Sequence, residues 1–307
     1  MQIVFISSNY PPEVNAPAIR LHEHVRHWVK EGHNVEVVTG PPSFPEGVVY
    51  EGYRNRFSCE VVEGIGVTRV PMYVSPNTGI LRRTLGFVSF MVSVRWNARR
   101  LRGKPDIVVA TSPQFFAGIA GYLLGRYFRV PFVLEIRDLW PESIVAVGAM
   151  KRNGLIRFFE RLERFLYARA RHLVVVTDAF KRVLIEKGVP SEKIDVLKNG
   201  ADLEAWHTPV DAEELADLRR RHGFDGKFVA GYIGTIGMAH GVEILYEAAR
   251  RCPDPDVVFL VVGTGADRWR IEQLQAAKPL ANLVLLEKAS REEVRYLYAL
   301  CDVNVVH

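Results

Sequence analysis

Two doubly wound α/β units in tandem, each a parallel sheet covered by helices, is the fold class that the sequence predicts. Three observations carry it. Short runs rich in Val and Ile alternate with helical patterns along the chain, and these runs are continuously apolar, as strands buried on both faces must be. The polar stretch KNGADLEAWHTPVDAEE divides them into two series. A length of 307 residues fits about two domains.

The first series of strands is expected at residues 3–6, 35–38, 107–110, 132–136, 173–176 and 194–197. Between the first two, Asn15 is placed to cap a helix with Pro17 in its first turn, and Gly32 to stop it before the next strand. From Leu155, the residues Phe158, Phe159, Leu162, Phe165 and Leu166 form one apolar stripe with Arg157, Glu160, Arg161 and Arg164 opposite, which predicts an amphipathic helix. The second series follows at 228–233, 257–262, 283–286 and 303–306. The predicted boundary lies near residues 206–210, giving a first domain of 1–205 and a second of 206–307. Ligands of open α/β sheets bind beyond the carboxyl ends of the strands, so the two units are expected to face a common cleft.

Composition narrows the class. An apolar fraction of 48% with 24% charged residues describes a globular chain with ample core. No apolar stretch approaches the roughly 18 residues of a membrane-spanning helix. The opening MQIVFISSNYPP lacks a basic start and breaks at Ser7-Ser8, so it does not read as a secretory leader. Cys59, Cys252 and Cys301 are scattered, which fits neither a disulfide framework nor a metal cluster and points to a reducing, cytoplasmic setting. The formal charge of +5 is unevenly spread: residues 64–105 contain no Asp or Glu, but hold Arg69, Arg82, Arg83, Arg95, Arg99, Arg100, Arg102 and Lys104. Such a block attracts phosphate groups of whatever origin.

Several loops are candidates for chemistry. SNYPPEVNAPAIR follows the first strand and leads into a helix N-terminus. Its three prolines stiffen the loop where glycines would let backbone approach a phosphate, so it reads as a rigid cleft wall or an ordinary β–α turn. YIGTIGMAHG surrounds a strand end with Gly234, Gly237 and Gly241, and its free N–H groups and helix dipole would suit a diphosphate. It lacks the Gly-Lys-Ser/Thr of a Walker loop. VVGTGADRWR puts Gly263 and Gly265 after a strand, but Arg268 takes the third position of the dinucleotide fingerprint, which argues against a nicotinamide site. EIRDLWPES sets Glu135, Arg137 and Asp138 at a strand's carboxyl end, either for acid–base or oxyanion work or as an Arg–Asp pair that orients the loop. Asp254-x-Asp256 precedes a strand at its amino end and reads as a turn before it reads as a cation site. The nine histidines show no metal-ligand spacing; His22, His24 and His27 fall on the first helix as solvated-face residues, and His240 lies in the glycine loop.

LRRTLGFVSFMVSVRWNARRLRGK is apolar nearly all round and flanked by arginines. It is either a buried helix with basic ends or a segment that dips into a bilayer surface with its arginines on lipid phosphates. Nucleic acid is not an expected partner, because aromatic residues are not interleaved with the charges.

Taken in order, SSNYPPEVNAPAIR, WVKEGHNVEVVTG, EIRDLWPES, HLVVVTDAFKRVLIEKGVPSEKIDVLKNGAD, YIGTIGMAHGVEILYEAA, LVVGTGAD and LYALCDVNVV make the whole chain resemble a family-four glycosyltransferase of the GT-B fold. The DLWPES element is most similar to members that build bacterial surface polysaccharides, some acting on amino-deoxysugars. The resemblance implies two Rossmann-like domains facing a cleft, the first binding the acceptor and the second the donor. It implies transfer of a sugar from a nucleotide diphosphate, expected to be UDP-linked, with retention at the anomeric carbon and no metal or other cofactor. The acceptor would be lipid-linked, on a polyprenyl carrier, or a free glycan, and the enzyme would work at the anionic inner face of the plasma membrane. The leaving phosphate is expected to help deprotonate the incoming hydroxyl, so the protein supplies positive charge and N–H donors in place of a nucleophile.

Carried onto this chain, the family pattern puts Gly234, Thr235, Gly237 and His240 near the diphosphate and Gly263 and Gly265 near the nucleoside. Asn15 and Ala16 stand where the family often has paired glycines, and Arg137-Asp138, the catalytic candidates, where relatives often carry His-Asp. Thr235 and His240 stand where many relatives have an Arg and a Lys on the diphosphate, so positive charge must come from elsewhere or be weaker. The final CDVNVVH stops ahead of the family's paired-glutamate signature, so the second domain is expected to be incomplete and the polypeptide to have little transferase activity. A nucleotide-sugar epimerase of the same fold and a non-catalytic membrane-associated binding module are the alternatives.

Overall fold

A computed structural model of the chain describes residues 1–76, 80–112, 115–146, 153–200, 206, 209–238 and 240–306. It divides into two compact units, Met1–Gly200 and Ala201–His307. The sequence reading put the division after residue 205. At the end of the first unit, Arg20 holds the carbonyls of Leu197 and Lys198 and the side chain of Asn199.

The first unit contains an eight-stranded sheet in the order β3-β4-β2-β1-β5-β6-β7-β8. Its strands are β1 (Gln2–Ile6), β2 (Asn34–Thr39), β3 (Ser58–Val62), β4 (Ile65–Arg69), β5 (Ile107–Thr111), β6 (Phe132–Ile136), β7 (His172–Val175) and β8 (Ile194–Val196). Only β3 runs antiparallel to its neighbour. β1 lies between β2 and β5, so the strand order reverses at β1 and the ligand edge opens there.

Burial on both faces explains the unbroken apolar runs. Val4 and Ile6 of β1 enter one cluster with Phe90, Leu124 and Leu166, whereas Ile3 and Phe5 enter another with Leu21 and Val25. The second cluster lies under α1 (Ala16–Lys30), and the first under α2 (Ile80–Trp96), α3 (Phe115–Phe128), α5 (Gly154–Arg169) and α6 (Asp178–Glu186). α1 begins as its sequence requires: Asn15 Oδ1 accepts from the Ala18 N–H at 3.0 Å. A short helix α4 (Glu142–Ala146) follows β6.

The hairpin β3–β4 was not predicted. Its two-residue turn, Glu63-Gly64, has both φ angles positive, at 51° and 79°. That is the hairpin turn most often written with Asn or Asp ahead of Gly, and Glu disguises it. β4 reads IGVTR, buried throughout but interrupted by Gly66 and Thr68, so no continuous apolar run marks it.

The second unit has a four-stranded parallel sheet in the order β11-β10-β9-β12. Its strands are β9 (Phe228–Ile233), β10 (Val257–Val262), β11 (Leu283–Leu286) and β12 (Val303–Asn304), the last shorter than the predicted 303–306. Here the strand order reverses at β9. Tyr232, Leu245, Val261 and Ile271 fill one face, and Phe224, Val229, Leu260 and Leu300 the other. Helices Ala212–Arg221, Glu243–Arg251, Arg268–Ala277 and Arg291–Leu300 cover them; Ser290 and Glu293 form a capping box on the last.

Gly121 of α3 yields a test of this packing. A methyl group there would come within 2.6 Å of Ala110 Cβ and of the Phe132 ring. An exposed helical Gly→Ala change stabilises by about 0.5–1 kcal/mol. Gly121→Ala is expected to reverse that sign and destabilise the first unit by about 1–3 kcal/mol, read as a lower urea midpoint with unchanged slope.

Candidate active site

At the ligand edge of the first sheet, the proline loop after β1 is anchored from within. Glu13, 3% exposed, accepts from the N–H groups of Ser43 and Phe44 at 2.8 and 2.9 Å and from Asn9 Nδ2 at 2.7 Å. Buried Arg69 donates to the Pro11 carbonyl at 2.7 Å, to the Gly40 carbonyl and to Glu60. These bonds tie the loops after β1, β2 and β4 together. Asn15 spends its side chain on the helix cap, and Ala16 is exposed at the start of α1.

The end of β6 carries the densest charge. Glu135 is 5% exposed, and Arg20 of α1 grips its Oε1 with Nε at 3.0 Å and Nη2 at 2.9 Å. The same guanidinium reaches Asn199 Oδ1 at 2.7 Å and the Leu197 carbonyl at 3.1 Å. His24 Nδ1 lies 4.0 Å from Glu135, and burial, reinforced by the charge of Arg20, lowers its pKa below the ordinary imidazole value. Arg137 donates from Nε to the Ser112 carbonyl at 3.0 Å and from its backbone N–H to Ser112 Oγ at 3.1 Å. Burial lowers the Arg137 pKa, with Glu135 opposing the shift. Asp138 accepts from Ser143 Oγ at 3.1 Å. Arg137 and Asp138 are thus held by different partners, and the cation on Glu135 comes from Arg20.

The first helix also corrects the histidine reading. Only His27 is exposed. His22 is half-buried, with Nδ1 at 3.1 Å from the Tyr10 hydroxyl and Nε2 at 3.5 Å from Glu63.

Behind Arg137-Asp138, the segment following β6 is clamped into the core. Trp140 stacks on Phe115 at 4.8 Å and meets Phe159 edge-on at 4.6 Å. Lys187 bridges Glu142 at 2.6 Å and the buried Glu163 at 3.1 Å, while the Tyr167 hydroxyl donates to Glu163 at 2.5 Å. Burial raises the Glu163 pKa; the bonds from Tyr167 and Lys187 oppose that shift. The cavity between Asp138, Trp140 and Glu163 holds only ≈ 20 Å³, so it admits no sugar.

In the second unit, Gly234, Thr235, Gly237, His240, Gly263 and Gly265 come together at the carboxyl ends of β9 and β10. The Gly234 N–H donates to the Val262 carbonyl, the Ile236 N–H to Thr264, and the Asp267 N–H back to Ile236, each at 3.0 Å. The two loops lie backbone on backbone. A Cβ on Gly263 would sit 1.9 Å from the Gly234 oxygen, and one on Gly265 would sit 2.1 Å from the Ile236 oxygen. Seating the neighbouring loop is therefore a structural requirement for both glycines. Thr235 is exposed and Gly237 half-buried, and among the described residues the N–H groups of Thr235 and Gly237 have no hydrogen-bond partner. His240 Nδ1 is buried without a partner among the described residues.

Arg268 is a residue whose role the sequence reading missed. It donates to the carbonyls of Gly263 and, at 2.7 Å, Leu286, and pairs with Glu272 and Glu287. It ties the ends of β10 and β11 together, which is why an arginine stands where a fingerprint glycine would. Asp254 and Asp256 form the expected turn: Asp254 Oδ1 accepts from the Asp256 N–H at 2.9 Å, and Asp256 pairs with Lys227.

Two outcomes follow from these contacts. Lys187→Met strands a buried carboxylate and is expected to cost about 3 kcal/mol in a denaturant titration, while adding Glu163→Gln to it restores most of the loss. Gly263→Ala, whose native φ is 140°, is expected to push the two loops apart and lower the thermal midpoint.

The sequence comparisons agree with this architecture. Residues 15–200 match the model of the glycosyl transferase 4-like domain, and residues 216–307 that of the glycosyl transferases group 1. The putative colanic acid biosynthesis glycosyl transferase WcaI of Escherichia coli is 29% identical over the whole chain, which covers 76% of that relative. A GDP-mannose-dependent alpha-mannosyltransferase of Mycobacterium tuberculosis is 27% identical over 99% of the chain and 72% of its own length. Among solved structures, Anabaena HepE in complex with UDP-glucose superposes with a TM-score of 0.71 at 18% identity, covering 100% of this chain and 73% of HepE. A match through more than half its length to the 4-like domain, continued by the group 1 domain, shows that the chain belongs to the family-four glycosyltransferases of the GT-B fold.

Proposed function

We propose that this glycosyltransferase moves a sugar from a UDP-linked donor to a saccharide or polyprenyl-linked acceptor in the assembly of a bacterial surface polysaccharide, with retention at the anomeric carbon. The observation that carries the reading is the paired loop at the strand-order reversal of the second sheet. Its backbone is immobilised by the Gly263 and Gly265 contacts, while among the described residues the N–H groups of Thr235 and Gly237 have no hydrogen-bond partner. Preorganised N–H donors of this kind stabilise the charge that develops on a departing diphosphate and require no rearrangement during the reaction. His240, whose Nδ1 has no partner among the described residues, adds a donor or acceptor on the same loop. The helix Glu243–Arg251 starts just beyond it and directs its positive dipole end toward the loop.

In the first unit, Arg137 and Asp138 are the proposed reaction-side groups, with Arg20 and Glu135 fixing their strand. Arg137 retains its charge and offers it to the acceptor, while Asp138 orients an acceptor hydroxyl. Similarity to WcaI along the entire chain supports the polysaccharide assignment, and the UDP-glucose complex of HepE supports the uridine donor. A divalent metal is not required in this proposal, because the N–H groups of the second-unit loop meet the charge on the diphosphate.

Isothermal calorimetry with UDP-glucose, UDP-N-acetylglucosamine and GDP-mannose tests the assignment. A UDP-sugar is expected to bind saturably, and Gly237→Val to weaken that binding by about tenfold or more, because it blocks the loop face. Binding of GDP-mannose alone overturns the uridine donor, and binding of none of the three overturns the donor site. Isomerisation of the bound sugar without acceptor would identify an epimerase instead.

A further inference from the structure

We propose that Glu163 and Lys187 are positioning residues that hold the segment carrying Asp138, by way of Glu142, and that the proton on Glu163 sets this hold. The three side chains come from three elements. Glu163 belongs to α5, Lys187 caps the end of α6, and Glu142 opens α4 in the segment that follows Asp138. The Lys187 Nζ lies 2.6 Å from Glu142 Oε1, and 3.1 and 3.3 Å from the two Glu163 oxygens. One ammonium group therefore links α4 to the interior of α5.

Glu163 stands in the buried stripe of α5 with Ile156, Leu166 and Tyr167, and is 3% exposed. A leucine would fill that position without the cost of taking a carboxylate out of water. The surroundings are built for the charge instead: Tyr167, one turn further along α5, donates at 2.5 Å, and Lys187 approaches from α6. Asp138 lines the same small cavity as Glu163, together with Ser112, Trp140 and Tyr167, so the buried acid lies directly behind the proposed reaction-side group. From α3 the cavity receives Phe115 and Gly118 and no ionisable group. The charges that face Glu163 are those of Lys187 and Glu142, with Asp138 across the cavity; burial keeps the Tyr167 hydroxyl protonated.

With Glu163 ionised, its two oxygens fix the ammonium group, and Glu142 meets a cation that is already in place. With Glu163 protonated, Lys187 is a lysine on a flexible stem. Its pair with the exposed Glu142 is then an ordinary surface ion pair, which contributes little. Trp140 remains stacked on Phe115 in either state, so the segment loosens without leaving the core. Burial raises the Glu163 pKa above the ordinary carboxylate value, against the bonds from Tyr167 and Lys187, and brings the change to a milder pH than an exposed acid would show. Because the shift is upward, the fold favours the protonated acid, and the stability that Glu163 contributes is lost as pH rises through its folded pKa. The tie to α4 forms over that same interval. Local protection and global stability thus move in opposite directions, which separates this latch from simple unfolding.

Hydrogen exchange of the full 307-residue chain, read by mass spectrometry from about pH 5 to about pH 8 and corrected for the intrinsic rate, is the test. Protection of the peptide over residues 138–146 is expected to rise about tenfold with pH, while α3 peptides show no such rise. Glu163→Gln should hold the peptide at its acid level throughout. Glu142→Gln, at an exposed position, leaves the buried pair intact and should abolish the rise with an unchanged circular dichroism spectrum. A flat parent profile, a rise that survives Glu163→Gln or Glu142→Gln, or a parallel rise in the α3 peptides each overturns the proposal. What the latch does for transfer rests on the proposed role of Asp138, but exchange needs no ligand. Failed donor binding in calorimetry therefore leaves the latch standing, and a flat profile beside normal donor binding removes the latch alone.

Discussion

Glu135, the last residue but one of β6, has its carboxylate inside the protein, and an ionised carboxylate in that position demands a cation and several hydrogen bonds. Arg20 provides them from α1, 115 residues away in sequence, and the remaining guanidinium hydrogens close onto the segment after β8. One side chain therefore joins α1, the end of β6 and the segment after β8. The proline loop reaches α1 from β1, so its course is constrained at both ends, by the Glu13 and Arg69 bonds and by the Arg20 clamp. Arg137 and Asp138 directly follow this fixed point and inherit its rigidity.

The second unit reaches the same end by backbone contact. Two loops at adjacent strand ends touch through glycines, with a hydrogen-bonded ladder that continues past the strands themselves. Arg268 then fastens the third strand end to this pair. Polar groups in both units are consumed in holding these strand ends still, and among the described residues the N–H groups of Thr235 and Gly237 and the buried Thr39 Oγ1 and His240 Nδ1 are left without a partner. In the proposed reaction, fixed N–H groups of this kind would meet the charge that develops on a departing diphosphate.

The elements were largely legible before the structure. Ten predicted strands appear at or within a residue or two of their expected places because burial on both faces writes itself into consecutive apolar residues. β3 and β4 escaped because β3 lies at the sheet edge with alternating exposure, and β4 is interrupted by Gly66 and Thr68. The site was legible as a set of loops and not as a set of contacts. Glu135, Arg137 and Asp138 read naturally as a local cluster, yet Glu135 takes its cation from α1 and Asp138 its partner from Ser143. His24 was assigned to the solvated face by default, although the i, i+4 relation to Arg20 already placed the two on one side of α1.

From sequence alone came the α/β class, the two series of strands, the helix cap at Asn15, the glycine-bearing strand ends and the acid-free basic block, since each depends on neighbours within a turn or two of chain. Tertiary structure alone decided the strand order, the Arg20–Glu135 pairing and the loop-on-loop purpose of Gly263 and Gly265. Those features join groups far apart along the chain, and the energy of such a contact depends on packing geometry that local periodicity does not encode.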